Sequence, residues 1–477
     1  MRGYKAIGRT AGAIFVAVLI NGSIVRSQTA TTSTGKDRRD LAVTVYNSNL
    51  ALVHDVRRLR LPPGLTELHF ADVAEHLNPT SVQIVSRTAP SLFTVLEQSY
   101  RYDLLSPDSL LKKYVGKQVT LVRRLKENGS TKEIRVPAIL LADNNGPVWQ
   151  VGNEIMTGAP PDDYLFPQAP EDFYSRPTLV CLVSNQGGVE QTVEATYLTS
   201  GMDWKADYTF AISPGKDTAD LNGWATISND SGATFRKARL QLVAGEVHRT
   251  ATPQPMLQFA MAKAATQFEQ QPLSEYHLYS LQRRATLVNH SSLQLGLLTS
   301  ANVHFVKAYE LEGQSYYYRT PIQPGPPMSE PVQVHIQFEN SKANSLGIPL
   351  PAGTVRIYEN DVTGQSEFIG EDRIGPTAKD ERLDLEVGNA FDVTALRKQT
   401  DYQSLGPRNS EAAFEITIRN HKPKPITVEV NEPIGGEWTM LESNFKYQKT
   451  SAFSVRFDVP VAANSQSALK YRLRVHW

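Results

Sequence analysis

From Phe414 to the C-terminus, apolar residues fall at every second position in four successive runs. These are Phe414-Ile416-Ile418, Ile426-Val428-Val430, Phe453-Val455-Phe457-Val459 and Leu469-Tyr471-Leu473-Val475-Trp477. A period of two sends successive side chains to opposite faces of a strand, so each run predicts a strand with one buried face. His-Lys-Pro-Lys-Pro at 421–425 and Ala-Ala-Asn-Ser at 462–465 supply the turns. The same pattern predicts strands at Leu41–Tyr46, Leu50–Leu61, Thr66–Phe70, Ser81–Ser86 and Phe93–Gln98. A short helix follows at Leu110–Tyr114, with Ser106 as cap and Pro107 in its first turn. Strands resume at Gln118–Arg124, Lys132–Leu141 and Val148–Val151, and again from Thr178. Pro62-Pro63-Gly64, Asn128-Gly129 and Asn145-Gly146 read as hairpin turns.

Strand after short strand, with turn residues between, predicts an all-β protein: an N-terminal β domain followed by an Ig-like antiparallel β-sandwich region. Residues 1–27 read as a signal peptide, with Arg2, Lys5 and Arg9 before the apolar Ala11–Ile20 and the small-residue site Val25-Arg26-Ser27. The mature chain is expected to begin near Gln28, outside the cytoplasm (periplasmic or secreted), with no integral membrane span. Polar residues 28–39 predict a flexible leader, 40–156 the N-terminal β domain and 157–177 a Pro-rich linker. Residues 178–249 predict the first part of the sandwich and 275–477 the rest. Between them, 250–274 reads as a surface insertion, disordered or helical over Met256–Glu269.

Composition narrows the chemistry. Among 477 residues, Lys+Arg and Asp+Glu both number 49, so the net charge is zero. That argues against nucleic acid as a partner and leaves local patches open. The single cysteine, Cys181, sits in an apolar run and reads as a buried, inert thiol. His69 and His76, with Asp72 and Glu75 between them, come nearest to a metal cluster, but their spacing fits no zinc pattern. Asp162, Asp163, Glu171 and Asp172 read as a solubilising loop, and Asn360, Asp361 and Gly364 lack the acidic spacing of a calcium loop. No nucleophile elbow, phosphate loop or dinucleotide fingerprint occurs, and no catalytic residue, metal ligand or cofactor is assigned. The final run ends on an aromatic residue as outer-membrane strands do, but the other strands lack aromatic girdles, so a soluble sandwich is expected. The candidate binding surface is Tyr316, Tyr317 and Tyr318 with Pro324 and Pro326. Adjacent tyrosines on a strand point to opposite faces, and the proline run beside them presents a semi-rigid loop.

Several segments carry a resemblance as a set: YLTSGMDWKADYTF (197–210), GWATISNDSGATFRKARLQLVAGEV (223–247), EYHLYSLQRRATLVNHSS (275–292), LGIPLPAGTVRIYENDVTG (346–364), FIGEDRIGPTAKDE (368–381), VGNAFDVTALRKQTDY (387–402) and LKYRLRVHW (469–477). Together they resemble an uncharacterised bacterial family, a domain of unknown function also found at the C-terminus of mucoidy-inhibitor-A-like proteins. VYNSNLALVHDVRRLRLPPG (45–64) and DVAEHLNPTSV (72–82) resemble the N-terminal portion of the same proteins. The resemblance implies an exported, β-rich envelope protein and supplies no reaction or catalytic residues; the long coiled-coil insertion of those proteins is missing here. The expected function is a non-enzymatic envelope interaction or scaffold protein, meeting an envelope protein or glycan. The alternative is a hydrolase of envelope polysaccharide or peptidoglycan, using carboxylates from distant segments.

Overall fold

The computed structural model describes residues 29–476 except 103–105, 128–129, 145, 159–160, 169–173, 246–267, 274–275, 323–325 and 362. The described chain is nearly all β. The expected signal peptide, the Asn128-Gly129 turn and most of the 250–274 insertion lie outside the described residues. The end of that insertion is neither disordered nor helical: Phe268–Leu273 is a strand paired with Tyr276–Leu281.

Two sheets face each other across the largest core. A four-stranded sheet runs Thr29–Ser33, Gly64–Ala71, Thr178–Asn185, Phe93–Arg101. An eight-stranded sheet contains Arg38–Tyr46, Leu50–Arg60, Glu190–Thr199, Phe235–Ala244 and Tyr276–Leu281. The Pro62-Pro63-Gly64 turn, expected to close a hairpin, carries the chain from one sheet to the other instead. Leu50–Arg60 and Gly64–Ala71 never pair, and Leu61 is pinned at the corner by its N–H to the Val189 carbonyl (2.8 Å). Buried Val43, Val53, Leu68, Phe70, Cys181 and Val193 fill the space between. A five-stranded sheet with Met202–Ile212 and Thr218–Asn229 at its centre joins the same core. Trp204 ties it to the eight-stranded sheet by donating its indole N–H to the Val243 carbonyl (3.0 Å).

These pairings cut across the expected division at 157–177. Strands from 29–101 share both sheets with strands from 178–281, because their apolar faces complete one core. Among the described residues up to Leu281, Pro107–Leu165 forms a separate small unit, a five-stranded sheet with one helix, Pro107–Lys113, packed around Trp149, Leu121 and Leu140. The helix keeps the expected cap, Ser106 accepting from the Ser109 N–H. The linker also supplies a strand to this sheet, Asp163–Leu165.

The C-terminal strands form a nine-stranded sheet that curls back on itself: its edge strands, Glu437–Ser443 and Tyr447–Ser451, bring Trp438 and Tyr447 within 6.0 Å. Phe414, Val430, Phe457 and Tyr471 fill its interior, as the alternation requires. Phe453 departs from that set. It sits in the turn before Ser454–Val461 and is exposed. The sheets are mixed rather than purely antiparallel, since four pairings among the described strands are parallel, Arg38–Tyr46 with Phe235–Ala244 among them. No helix among the described residues is long and apolar enough to cross a membrane.

Candidate functional site

The predicted flexible leader is a strand followed by a tight turn. Thr29–Ser33 lies parallel to Gly64–Ala71, and a 3-10 turn at Gly35–Asp37 follows. Thr34 caps this turn while Asp37 accepts the Thr34 N–H (2.9 Å), so a polar sequence satisfies its own backbone. Asp72, at φ +61°, accepts the Gly35 N–H (2.9 Å) and an Arg176 N–H (2.8 Å). One carboxylate thus ties the leader to the segment before Thr178–Asn185.

These tethers open a cleft of about 1270 Å³, lined from both large sheets and from 174–177. Beneath it lies Arg57, fully buried, with its guanidinium 3.6 Å above the Phe70 ring. Arg57 donates to Asp55 (2.8 Å) and to the Ser33 carbonyl (3.1 Å), and Arg38 closes on Asp55 from the cleft side (2.6 Å). Burial alone would push the Asp55 carboxyl up; the hydrogen bond from Arg38 and the Arg57 charge outweigh it and hold the group below the usual carboxylate range.

Seven cationic side chains line the cleft against two carboxylates, Asp40 and Asp72. Asp40 binds Arg284 (2.8 Å) and Arg239 (2.6 Å). Lys36, Arg39, Arg236 and Lys237 have no carboxylate partner among the described residues. A β-bulge between Phe235 and Ala238, with Lys237 at φ +50°, presents the last two cations to the cleft. For both carboxylates burial acts upward, but hydrogen bonds outweigh it: Arg284 and Arg239 hold Asp40 low, and the Gly35 N–H and Arg176 hold Asp72 low. They stay ionised and accept hydrogen bonds; a general acid needs the opposite shift. His69 is engaged with Glu67 (2.5 Å), and its ring lies 5.9 Å from that of Tyr174. The arrangement fits the capture of an anion.

The candidate tyrosines are not on a strand. Ser315–Tyr318 is a 3-10 turn, so the predicted alternation of faces does not apply. Tyr316 is exposed, whereas Tyr317 and Tyr318 are both buried. Tyr317 donates to Glu330 (2.8 Å); Tyr318 donates to Glu432 (2.5 Å) and lies 3.0 Å from the Tyr471 hydroxyl. Pro326 is exposed and Pro324 lies outside the described residues. Asp162 and Asp163 of the Pro-rich segment contact Arg124, while Glu171 and Asp172 lie outside the described residues. Asp361 holds its own turn through Thr363 and Gln365. Cys181 is fully buried, and burial pushes its thiol up to about 12.

The family model described as a domain of unknown function (DUF4139) matches residues 193–477. No curated protein matches the chain. The matched region holds Arg236, Lys237 and Arg284 of the cleft, while Lys36, Arg39, Asp72 and Arg176 precede it.

Proposed function

We propose, on the premise that this chain belongs to the DUF4139 family, that it is an exported, non-enzymatic envelope protein that holds an anionic partner in its basic cleft. Kinship with mucoidy-inhibitor-A-like proteins belongs to the same reading. The observation that carries it is the set of four cations, Lys36, Arg39, Arg236 and Lys237, facing one cleft without carboxylate partners among the described residues. Like charges gathered on a rigid wall repel one another, and an anionic ligand relieves that repulsion. The cleft exceeds the roughly 300–1,000 Å³ that suits one small molecule, so it suits a short polymer segment or a partner's acidic loop. Against the hydrolase alternative, both cleft carboxylates are bound by arginines and held ionised. Tyr316 and Pro326 remain available as a second contact surface.

The test uses the mature chain from Gln28, titrated with an oligouronate and, separately, with polyphosphate. Binding that weakens with salt is expected. The double substitution Arg39→Glu, Arg236→Glu reduces affinity at least tenfold and leaves the melting temperature unchanged. Failure to bind either polyanion, or equal affinity in the double variant, overturns the reading.

A further inference from the structure

The sheet that joins the main core through Met202–Ile212 has a second, outer face. Its strands lie in the order Ser291–His304, Thr218–Asn229, Met202–Ile212, Gly353–Asn360, Ser366–Ile374. Inward positions carry buried Trp204, Tyr208, Phe210, Ala225 and Ile227. On Thr218–Asn229 the alternate positions carry Asp220, Asn222, Thr226 and Ser228, as a solvated face requires. Trp224 breaks that series: it shares their parity and is 43% exposed. Its cross-strand neighbours are Gly296 and Asp207, so no apolar side chain flanks the ring on either adjoining strand.

A second aromatic station stands on the same face. Tyr358 lies two strands from Trp224 and four residues beyond its level, roughly 16 Å away. Phe368, 55% exposed, pairs directly with Tyr358, and the two rings meet edge to face at 5.8 Å. Between the stations the floor is polar and cross-linked. Asp207 accepts from Thr226 (3.0 Å) and from Arg356 (3.3 Å), and Arg356 also pairs with Glu371 (3.2 Å). Gln294 donates to Thr226 (3.2 Å). Asn222, on the same floor, makes no side-chain hydrogen bond among the described residues.

We propose that this face binds an uncharged polysaccharide chain, with sugar rings stacked on Trp224 and Phe368 and hydroxyls bonded to Asn222, Asp207 and Arg356 between them. A pyranose ring has an apolar face of C–H bonds and a rim of hydroxyls that both donate and accept. The face matches an exposed aromatic ring, and the rim matches amide, carboxylate and guanidinium groups that hold one another in place. The charge balance fits an uncharged ligand, because Arg356 is shared between two carboxylates. A polyanion needs clustered cations instead. A protein hot spot or a lipid surface needs contiguous apolar area, whereas these two stations are separated by polar side chains. Strands fix the spacing of the rings, so little order is lost on binding, and a chain of several sugar units is needed to reach both. The site shares no residue with the basic cleft, lies within the family-matched region and does not rest on the reading of the cleft.

The experiment is a calorimetric titration of the mature chain from Gln28 with cellohexaose, maltohexaose and chitohexaose in separate runs, with melting temperatures recorded beside it. Binding of at least one of them is expected, insensitive to salt and not displaced by polyphosphate, which would occupy the cleft. Trp224→Ala should weaken that binding at least tenfold and leave the melting temperature unchanged, since the ring is exposed. Trp224→Phe, which restores a ring, should recover part of the loss. Phe368→Ala weakens the same hexasaccharide independently of any effect at Trp224. Failure of all three sugars to bind, displacement by polyphosphate, or binding that survives both Trp224→Ala and Phe368→Ala overturns the proposal.

Discussion

Two buried arginines organise the two principal cores. Arg57 lies under the cleft, and Arg397 lies inside the nine-stranded sheet, where it donates to Glu330 (2.8 Å) and Glu432 (2.6 Å). Both pairs were present in the alternation. Val53, Asp55, Arg57 and Leu59 share one parity, as do Val393, Ala395 and Arg397 on one strand and Val428, Val430 and Glu432 on another; all are buried. Opposite charges at inward positions, two apart on one strand for Asp55 and Arg57 and on distant strands for Arg397 and Glu432, are therefore the signal that identifies a buried network, and no catalytic motif contains it. The tyrosine triplet misled for a different reason: three aromatics in a row fit a strand, but Tyr318 reaches Glu432 only from a turn. Removing Arg397 leaves two carboxylates in the interior without their cation. Arg397→Met should cost about 3–5 kcal/mol, and adding Glu432→Gln should restore part of it. Urea denaturation measures both; a loss below about 1 kcal/mol would place this network with ordinary exposed ion pairs.

At the scale of elements, strand positions were legible and partners were not. The period of two locates Leu50–Arg60 to within a residue or so but carries no information on which strand lies beside it. The leader does not read as a strand because Thr, Ser, Gly and Lys lower its hydrophobicity to the level of disorder. Its order comes from pairing with Gly64–Ala71, from the capped turn and from Ser33, which is fully buried and accepts from Arg57. Deleting residues 28–34 should then destabilise the chain by at least about 2 kcal/mol, since a buried guanidinium loses two acceptors and a sheet edge is uncovered. Comparison of denaturation midpoints for chains beginning at Gln28 and at Gly35 checks this, and equal midpoints would show the strand to be dispensable.

Across the whole molecule, a net charge of zero conceals a strongly uneven distribution. Composition could not reveal the cleft, because its cations come from segments up to 248 residues apart, from Lys36 to Arg284, and only the sheet pairing brings them together. The carboxylates around it set the response to acid. Hydrogen bonding from His54 (3.1 Å), against the opposing effect of burial and with help from Arg87 (2.7 Å), brings Glu194 from its ordinary 4.5 to about 2. Asp40, Asp55 and Asp72 are likewise lowered from 3.8. Folded values below unfolded ones contribute stability that is complete above about pH 5 and is lost as pH falls through 4.5 toward 2. Glu194→Gln should be less stable at neutral pH yet lose less across that window, by on the order of 2 kcal/mol. Urea denaturation at a series of pH values tests this, and parallel curves for the two proteins would contradict it. The parallel seat of Arg38–Tyr46 beside Phe235–Ala244 has an evolutionary implication. The family-matched region opens at residue 193, so it contains Phe235–Ala244 without that neighbour and begins inside Glu190–Thr199 without Leu50–Arg60. Cut out alone, it would offer three bare strand edges to any passing chain, since Glu190–Thr199 also loses Gln83–Ser86 on its other side. A relative carrying the matched region behind a different N-terminus must fill all three seats from that N-terminus or from a second subunit, so the unit of inheritance recognised by sequence is smaller than the unit that folds.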